Sequence, residues 1–315
     1  MHRALRCKAN QRMTEPSQAG VQRIKIDGGY HVYTRKVGHG PIVLLLLHGG
    51  PGCTHEYFEC FETWLAPNEY TFYYYDQLGS YHSDQPDDPS LWTVERFREE
   101  VETVRRTLGL EQFYLLGNSW GGMLGLEYAL KYPSHLKGLI ISNMTASIDS
   151  YVTYLGELRG RLSPDEVALM ARHEAADDLE APAYQALLDR LYRRHICRLD
   201  PWPEPLDRMH THQATSVYHT MQGHNEFVVT GTFRDWNRWD DLYRFTVPTL
   251  LSVGRHDTMR PADIEEMGRR MPVSRVSVCE NGSHLSMWDD PDTYFTALKT
   301  FLREVEAGTF TNQLG

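Results

Sequence analysis

Gly117-Asn118-Ser119-Trp120-Gly121-Gly122 decides how this chain folds. The apolar run Phe113-Tyr114-Leu115-Leu116 leads into it and a helix-forming stretch, 123–132, follows, so Ser119 lies on a strand-to-helix turn. Small residues two before and two after the serine let the backbone turn sharply and hold the hydroxyl out above the end of a sheet. The letters G-x-S-x-G alone also fit a glycine-rich turn with a surface serine. The strand before and the helix after separate the two readings and make Ser119 a candidate nucleophile.

A serine hydroxyl is a weak nucleophile near neutral pH, so it needs a histidine base and a carboxylate to orient that base. The buried-strand pattern at 247–254 runs into Gly254-Arg255-His256-Asp257, and the next strand pattern, 274–278, runs into Glu280-Asn281-Gly282-Ser283-His284. In a parallel sheet both loops open at the same carboxyl edge as the Ser119 turn. The chain order Ser119, Asp257, His284 is that of the α/β-hydrolase triad and differs from the chymotrypsin and subtilisin orders. Serine at the turn disfavours dehalogenase and epoxide-hydrolase chemistry, which use aspartate there.

The chain holds 15 histidines and 42 acidic residues, so most are bystanders. His256 precedes the carboxylate, against the expected order. Asp263 reads as a first-turn helix residue after Arg260-Pro261, and Asp289 follows the histidine instead of preceding it. His210, His212, His219 and His224 match neither an H-E-x-x-H helix nor a paired Cys/His site, so they read as surface or packing residues. No metal or organic cofactor is expected.

Acyl transfer also needs donors for the oxyanion, and losing one costs roughly 100- to 1,000-fold in rate. After the unbroken apolar run Ile42-Val43-Leu44-Leu45-Leu46-Leu47 comes His48-Gly49-Gly50-Pro51-Gly52, whose glycines allow close backbone approach to a substrate. The backbone N–H groups of Gly50 and Trp120 are the expected pair.

With these pieces in place, the chain resembles the proline iminopeptidases (prolyl aminopeptidases) of the α/β-hydrolase superfamily, a group that also holds amino-acid amide hydrolases. The resemblance rests on H-G-G-P-G at 48–52, Tyr75-Asp76-Gln77-Leu78-Gly79-Ser80, the turn at 117–122, Gly223-His224-Asn225-Glu226-Phe227 with Gly231 and Trp236, and Ser283-His284-Leu285-Ser286-Met287-Trp288. It implies an α/β-hydrolase fold: a mostly parallel central sheet flanked by helices, with an inserted helical cap. It also implies that Glu226 binds the free α-amine of a short peptide or amino-acid amide. Some family members carry a second carboxylate directly after the triad aspartate. Here that position is Thr258, and Glu204 in Pro203-Glu204-Pro205 is the candidate to replace the missing charge. The expected activity is release of an N-terminal proline or other small apolar residue. Hydrolysis of proline or other L-amino-acid amides, or of small esters, is the alternative, and a catalytically inactive binding protein a remote one.

The organisation agrees with one large domain. At 315 residues, 41% hydrophobic and 23% charged, the chain can bury a sizeable core plus an insertion. The pattern at 21–38 reads as a hairpin turning at Asp27-Gly28-Gly29, followed by strands at 41–47, 71–75, 113–116 and 139–142 and a helix at 93–108. From 143 to 240 helical candidates replace strands, at 147–161, 163–176 and 182–196, several opened by Ser or Pro. The expected division is therefore core 21–142 and 241–315, ending in a helix at 292–306, with cap 143–240. Tyr151, Tyr154, Tyr218, Phe227 and Trp236 are the cap aromatics expected to wall an apolar pocket.

Residues 1–20 carry Arg3, Arg6, Lys8 and Arg12 without an apolar stretch of signal-peptide length and read as a disordered lead. Five scattered cysteines suggest free thiols in a reducing compartment, and no run approaches the roughly 20 apolar residues of a membrane helix. A cytoplasmic protein with no membrane association is expected. A formal charge of −10 argues against nucleic acid and suits a substrate bearing an amine. The sequence leaves the oligomeric state open.

Overall fold

The computed structural model describes residues 20–312; the lead expected at 1–20 lies, but for Gly20, outside the described residues. An eight-stranded sheet runs through the molecule in the order β1-β2-β4-β3-β5-β6-β7-β8. Its strands are β1 (Val21–Lys25), β2 (His31–Gly38), β3 (Ile42–Leu47), β4 (Tyr70–Asp76), β5 (Phe113–Asn118), β6 (Leu136–Ser142), β7 (Thr249–Gly254) and β8 (Ser274–Cys279). β2 pairs antiparallel with β1 and β4, as expected of a hairpin turning at Asp27–Gly29, and every other pair is parallel.

Continuous apolar runs form the central strands because both faces are covered. Leu45 and Leu47 of β3, with Phe113 and Leu115 of β5, enter one hydrophobic core, while Leu44, Leu46, Tyr114 and Leu116 enter the other. The first core is roofed by α2 (Val94–Leu108), α3 (Trp120–Lys131) and α9 (Pro261–Arg270). The second is covered by the one-turn α1 (Phe61–Trp64), the short α10 (Ser286–Asp289) and α11 (Pro291–Glu306).

Between β6 and β7 the described chain contains no strand, only two isolated bridges. It forms α4 (Ile148–Arg159), α5 (Pro164–Ala175), α6 (Pro182–His195), α7 (Glu204–Thr211) and α8 (Thr215–Met221). The capping chemistry is local. The Ser147 hydroxyl accepts from Ser150 N–H, and Ser163 with Glu166 completes a reciprocal capping box ahead of Pro164. Among the described residues no helix is long and apolar enough to cross a membrane.

Candidate active site

All parallel strands end on one side, and the three candidate triad residues follow β5, β7 and β8 there. Ser119 takes φ 56° and ψ −126° between β5 and α3. The turn requires glycine on both sides: a Cβ on Gly117 would overlap the Gly121 carbonyl, and one on Gly121 would overlap the carbonyl of Leu47. Helix α3 starts at Trp120, three residues before the expected 123, so the Trp120 amide sits at an open helix N-terminus.

Asp257 is fully buried, and its Oδ1 lies 2.7 Å from His284 Nδ1. Oδ1 also accepts from Met259 N–H at 3.0 Å, and Oδ2 accepts from Asn143 Nδ2 at 2.6 Å. Burial pulls the His284 pKa down, but the charge and hydrogen bond of Asp257, aided by Glu226 and Asp289, outweigh it and hold the imidazole above its ordinary value. Ser119 and His284 line one cavity of about 610 Å³, and no hydrogen bond joins the Ser119 hydroxyl to His284 among the described residues. Such bonds often tighten only once substrate is bound.

The candidate oxyanion loop is built from the two motifs that flank it. Burial keeps His48 neutral by lowering its pKa, and its Nε2 accepts from Gln77 N–H at 3.0 Å. Gln77 Nε2 donates back to His48 O at 3.1 Å, and its Oε1 accepts from Trp120 Nε1 at 2.7 Å. The Gly49 N–H is taken by the Tyr57 hydroxyl at 2.7 Å. Gly50, at φ +107°, and Trp120 have amides engaged by no acceptor among the described residues. Both line the small recess at Ser119.

Glu226 lines the same cavity as Ser119. Its Oε1 accepts from the Tyr151 hydroxyl at 2.5 Å, and its N–H donates to the Tyr192 hydroxyl at 3.2 Å. Burial, followed by the Glu226 charge, pushes the Tyr151, Tyr192 and Tyr218 pKa values up, so these phenols stay protonated and able to donate. Thr258 Oγ1 lies 3.3 Å from Glu226 Oε1, from Asp257 Oδ1 and from His284 Nδ1. One hydroxyl thus stands between the candidate amine site and the triad.

Glu204 does not join this group. The expectation that it supplies a second amine-binding charge is corrected: its carboxylate is 60% exposed, pairs with Arg208 at 3.0 Å and is not part of the cavity wall. A glutamate four residues before an arginine on one helix is an ion-pair pattern, and that signal was present in the sequence. His256 is also elsewhere, its carbonyl accepting from His195 Nδ1 at 2.7 Å. Asp263 lies in the first turn of α9. Asp289 braces the His284 loop by accepting from Ser283 N–H at 3.0 Å. Of the cap aromatics, Tyr218 lines the cavity and Tyr151 the recess. Tyr154 instead lies under Arg260, Phe227 packs tilted against Tyr192, and Trp236 donates to Glu127 at 2.7 Å.

Asn143 escaped the sequence reading. It sits just past β6 at φ 57° and donates to Asp257, to Ser283 O at 3.0 Å and to Ser286 Oγ at 3.2 Å, joining the aspartate and histidine loops. The helical segment reaches the same loops. His284 N–H donates to His195 O and Leu285 N–H to Ile196 O, both at 2.9 Å.

The chain is similar to known proteins over most of its length. Residues 42–291 match the family described as alpha/beta hydrolase fold. A proline iminopeptidase of Flavobacterium johnsoniae is 44% identical over 283 residues, 88% of this chain and 95% of the relative. The crystal structure of VinJ superposes with a TM-score of 0.86 at 33% identity, covering 90% of this chain and 98% of the other. That of a proline iminopeptidase from Mycobacterium smegmatis does so with a TM-score of 0.84 at 32% identity, covering 91% and 99%.

Proposed function

Since the chain belongs to the proline iminopeptidase family of the α/β-hydrolase fold and is therefore a hydrolytic peptidase, we propose that it removes an N-terminal proline, or another small apolar residue, from short peptides or amides through a Ser119 acyl-enzyme. Neutral His284 takes the Ser119 proton as the serine oxygen bonds to the scissile carbonyl carbon. Asp257 holds the imidazole in the Nδ1–H tautomer, and the amides of Gly50 and Trp120 receive the oxyanion. The imidazolium then protonates the leaving amine as the C–N bond breaks. Water, deprotonated by the same histidine, attacks the ester and restores the serine.

The observation that carries the reading is the Glu226 carboxylate on the wall shared with Ser119, with Thr258 between it and the triad. A terminal amine one residue from the scissile carbonyl would meet a carboxylate there. A blocked amine would leave that charge without an ammonium partner, which is unfavourable in a partly desolvated site. Beside it, Trp120, Met123, Met144, Ile148, Phe233 and Met259 give the recess at Ser119 apolar walls. Residues 143–240 act in this reading as a cap that selects substrate, over a core of 21–142 and 241–315. An amide or small-ester hydrolase is the second reading, favoured by the neutral Thr258 where a second charge would strengthen the hold on the amine.

The deciding experiment is hydrolysis of proline β-naphthylamide, its N-acetyl form, alanine β-naphthylamide, prolinamide and a nitrophenyl ester by wild type and Ser119→Ala. Serine-dependent cleavage of the free-amine naphthylamide, with the acetylated form refused, is expected. Turnover confined to prolinamide or the ester would replace the peptidase reading with the second one.

A further inference from the structure

Scored by spacing along the chain, His212 is one of several middle-region histidines without a partner. In the folded chain it ends α7 and places Nδ1 2.9 Å from both oxygens of Glu56, a residue only 1% exposed in the short turn His55–Phe58. His82, from the loop after β4, brings Nε2 to 3.4 Å from Glu56 Oε1. The candidate ligand atoms of Glu56, His82 and His212 all lie within 4.8 Å of one another. His82 belongs to a second such group with His55 and Asp76, and the fully buried Asp76 leaves Oδ2 without a hydrogen-bond partner among the described residues.

We propose that Glu56, His82 and His212 bind a divalent transition-metal ion of the zinc class. Two imidazoles and one carboxylate are a donor set zinc accepts, leaving a fourth position for water. Bonds of about 2.0–2.1 Å in tetrahedral geometry separate ligand atoms by about 3.3–3.4 Å. The Glu56–His82 separation of 3.4 Å already has that value, and the Glu56–His212 separation of 2.9 Å has to open by about half an ångström to reach it. Arg208 Nη1 also touches Glu56 Oε1, at 3.1 Å, but the same guanidinium is held by Glu59 at 2.8 and 3.0 Å and by Glu204 at 3.0 Å. It therefore keeps two carboxylates when Glu56 turns to a metal. The Thr54 hydroxyl, donating to Glu56 Oε2 at 2.6 Å, fixes the carboxylate in place.

The ion would not take part in the chemistry. It would bind the turn at 55–58 to α7, whose Asp207, Met209 and His210 wall the catalytic cavity. Tyr57, next to Glu56, holds the Gly49 amide, so the clamp would join the glycine loop at 48–52 to the α7 wall of the cavity.

The test uses full-length protein treated with chelator and dialysed, then titrated with Zn²⁺ by calorimetry and with Co²⁺ by visible absorption. Wild type is expected to bind one ion per chain, with a tetrahedral Co²⁺ spectrum and a higher Tm in Zn²⁺. His82→Gln and His212→Gln should each weaken binding by at least about tenfold, and the double variant should lose the spectrum, while His210→Gln behaves as wild type. Circular dichroism checks that each variant is folded. Wild type that takes up neither ion overturns the proposal without recourse to any variant and leaves the cluster as an ion-paired latch. Undiminished binding by the folded double variant also overturns it, placing the metal elsewhere. None of these readouts depends on hydrolysis, so failure here is distinct from failure of the peptidase reading.

Discussion

The carboxyl edge of the sheet and the helical segment above it meet in one cavity but are organised by different physics. At the edge, each candidate catalytic group lies on the loop after a strand, and at Ser119 the turn depends on Gly117 and Gly121. In the helical segment and the turn after it, Glu226 is held by hydroxyls from α4 and α6, and by a threonine beyond β7. The candidate nucleophile thus rests on a turn readable from adjacent residues, whereas Glu226 rests on contacts that exist only in the folded chain.

The most severe test of the contrast is Ser119→Ala, expected to lower turnover by about 10⁴- to 10⁶-fold with an unchanged circular-dichroism spectrum. Retention of even a tenth of the activity would detach the chemistry from the strand edge. Gly121→Ala, which forces a Cβ into the Leu47 carbonyl, should destabilise the fold by about 3 kcal/mol in urea titrations, and a neutral result would show that the turn is looser than described.

Glu226→Gln should lower kcat/KM for free-amine proline substrates by about 10- to 100-fold without lowering the residual turnover of the N-acetylated form. It should also move the acid limb of the pH profile. Only neutral His284 accepts the serine proton, and its raised pKa puts the wild-type limb above the ordinary imidazole value. Removing the Glu226 charge, which helps raise that pKa, shifts the limb to lower pH; a limb that stays put would uncouple the amine site from the base. Tyr151→Phe, deleting the 2.5 Å donor to Glu226, should raise KM by about tenfold or less with kcat nearly unchanged, as measured by initial rates. Glu204→Gln should change kcat/KM by less than about twofold, because exposed ion pairs contribute little and this one lies outside the cavity wall.

The same division explains what could be read from the amino-acid order. Strands buried on both faces announce themselves as apolar runs, so β3, β5 and β7 and the loops after β5, β7 and β8 were legible, and with them Ser119, Asp257 and His284 as candidates. Capping serines marked the starts of α4 and α5 for the same local reason. The supports were not legible. Asn143 meets Asp257 across 114 positions, and Trp120 meets Gln77 across 43. A short amide side chain past a strand carries no pattern that names so distant a partner. Glu204 pairs with Arg208 one turn on, an i, i+4 pattern that outranks a role in the cavity. His212 was scored against its sequence neighbours, whereas its partners come from two other segments.

The junction at His195 and Ile196 bears on how such a protein can acquire new substrates. Their carbonyls receive the amides of His284 and Leu285, and the His195 ring reaches the Asp257 loop. The helical segment between β6 and β7 is therefore spliced into the loops that carry His284 and Asp257. Transplanting a foreign helical segment onto this sheet would import a new pocket but sever that splice, unless the graft delivered two carbonyls to the same place. If Glu226 selects the substrate as proposed, change in specificity is channelled toward single residues around it and away from wholesale exchange of the segment.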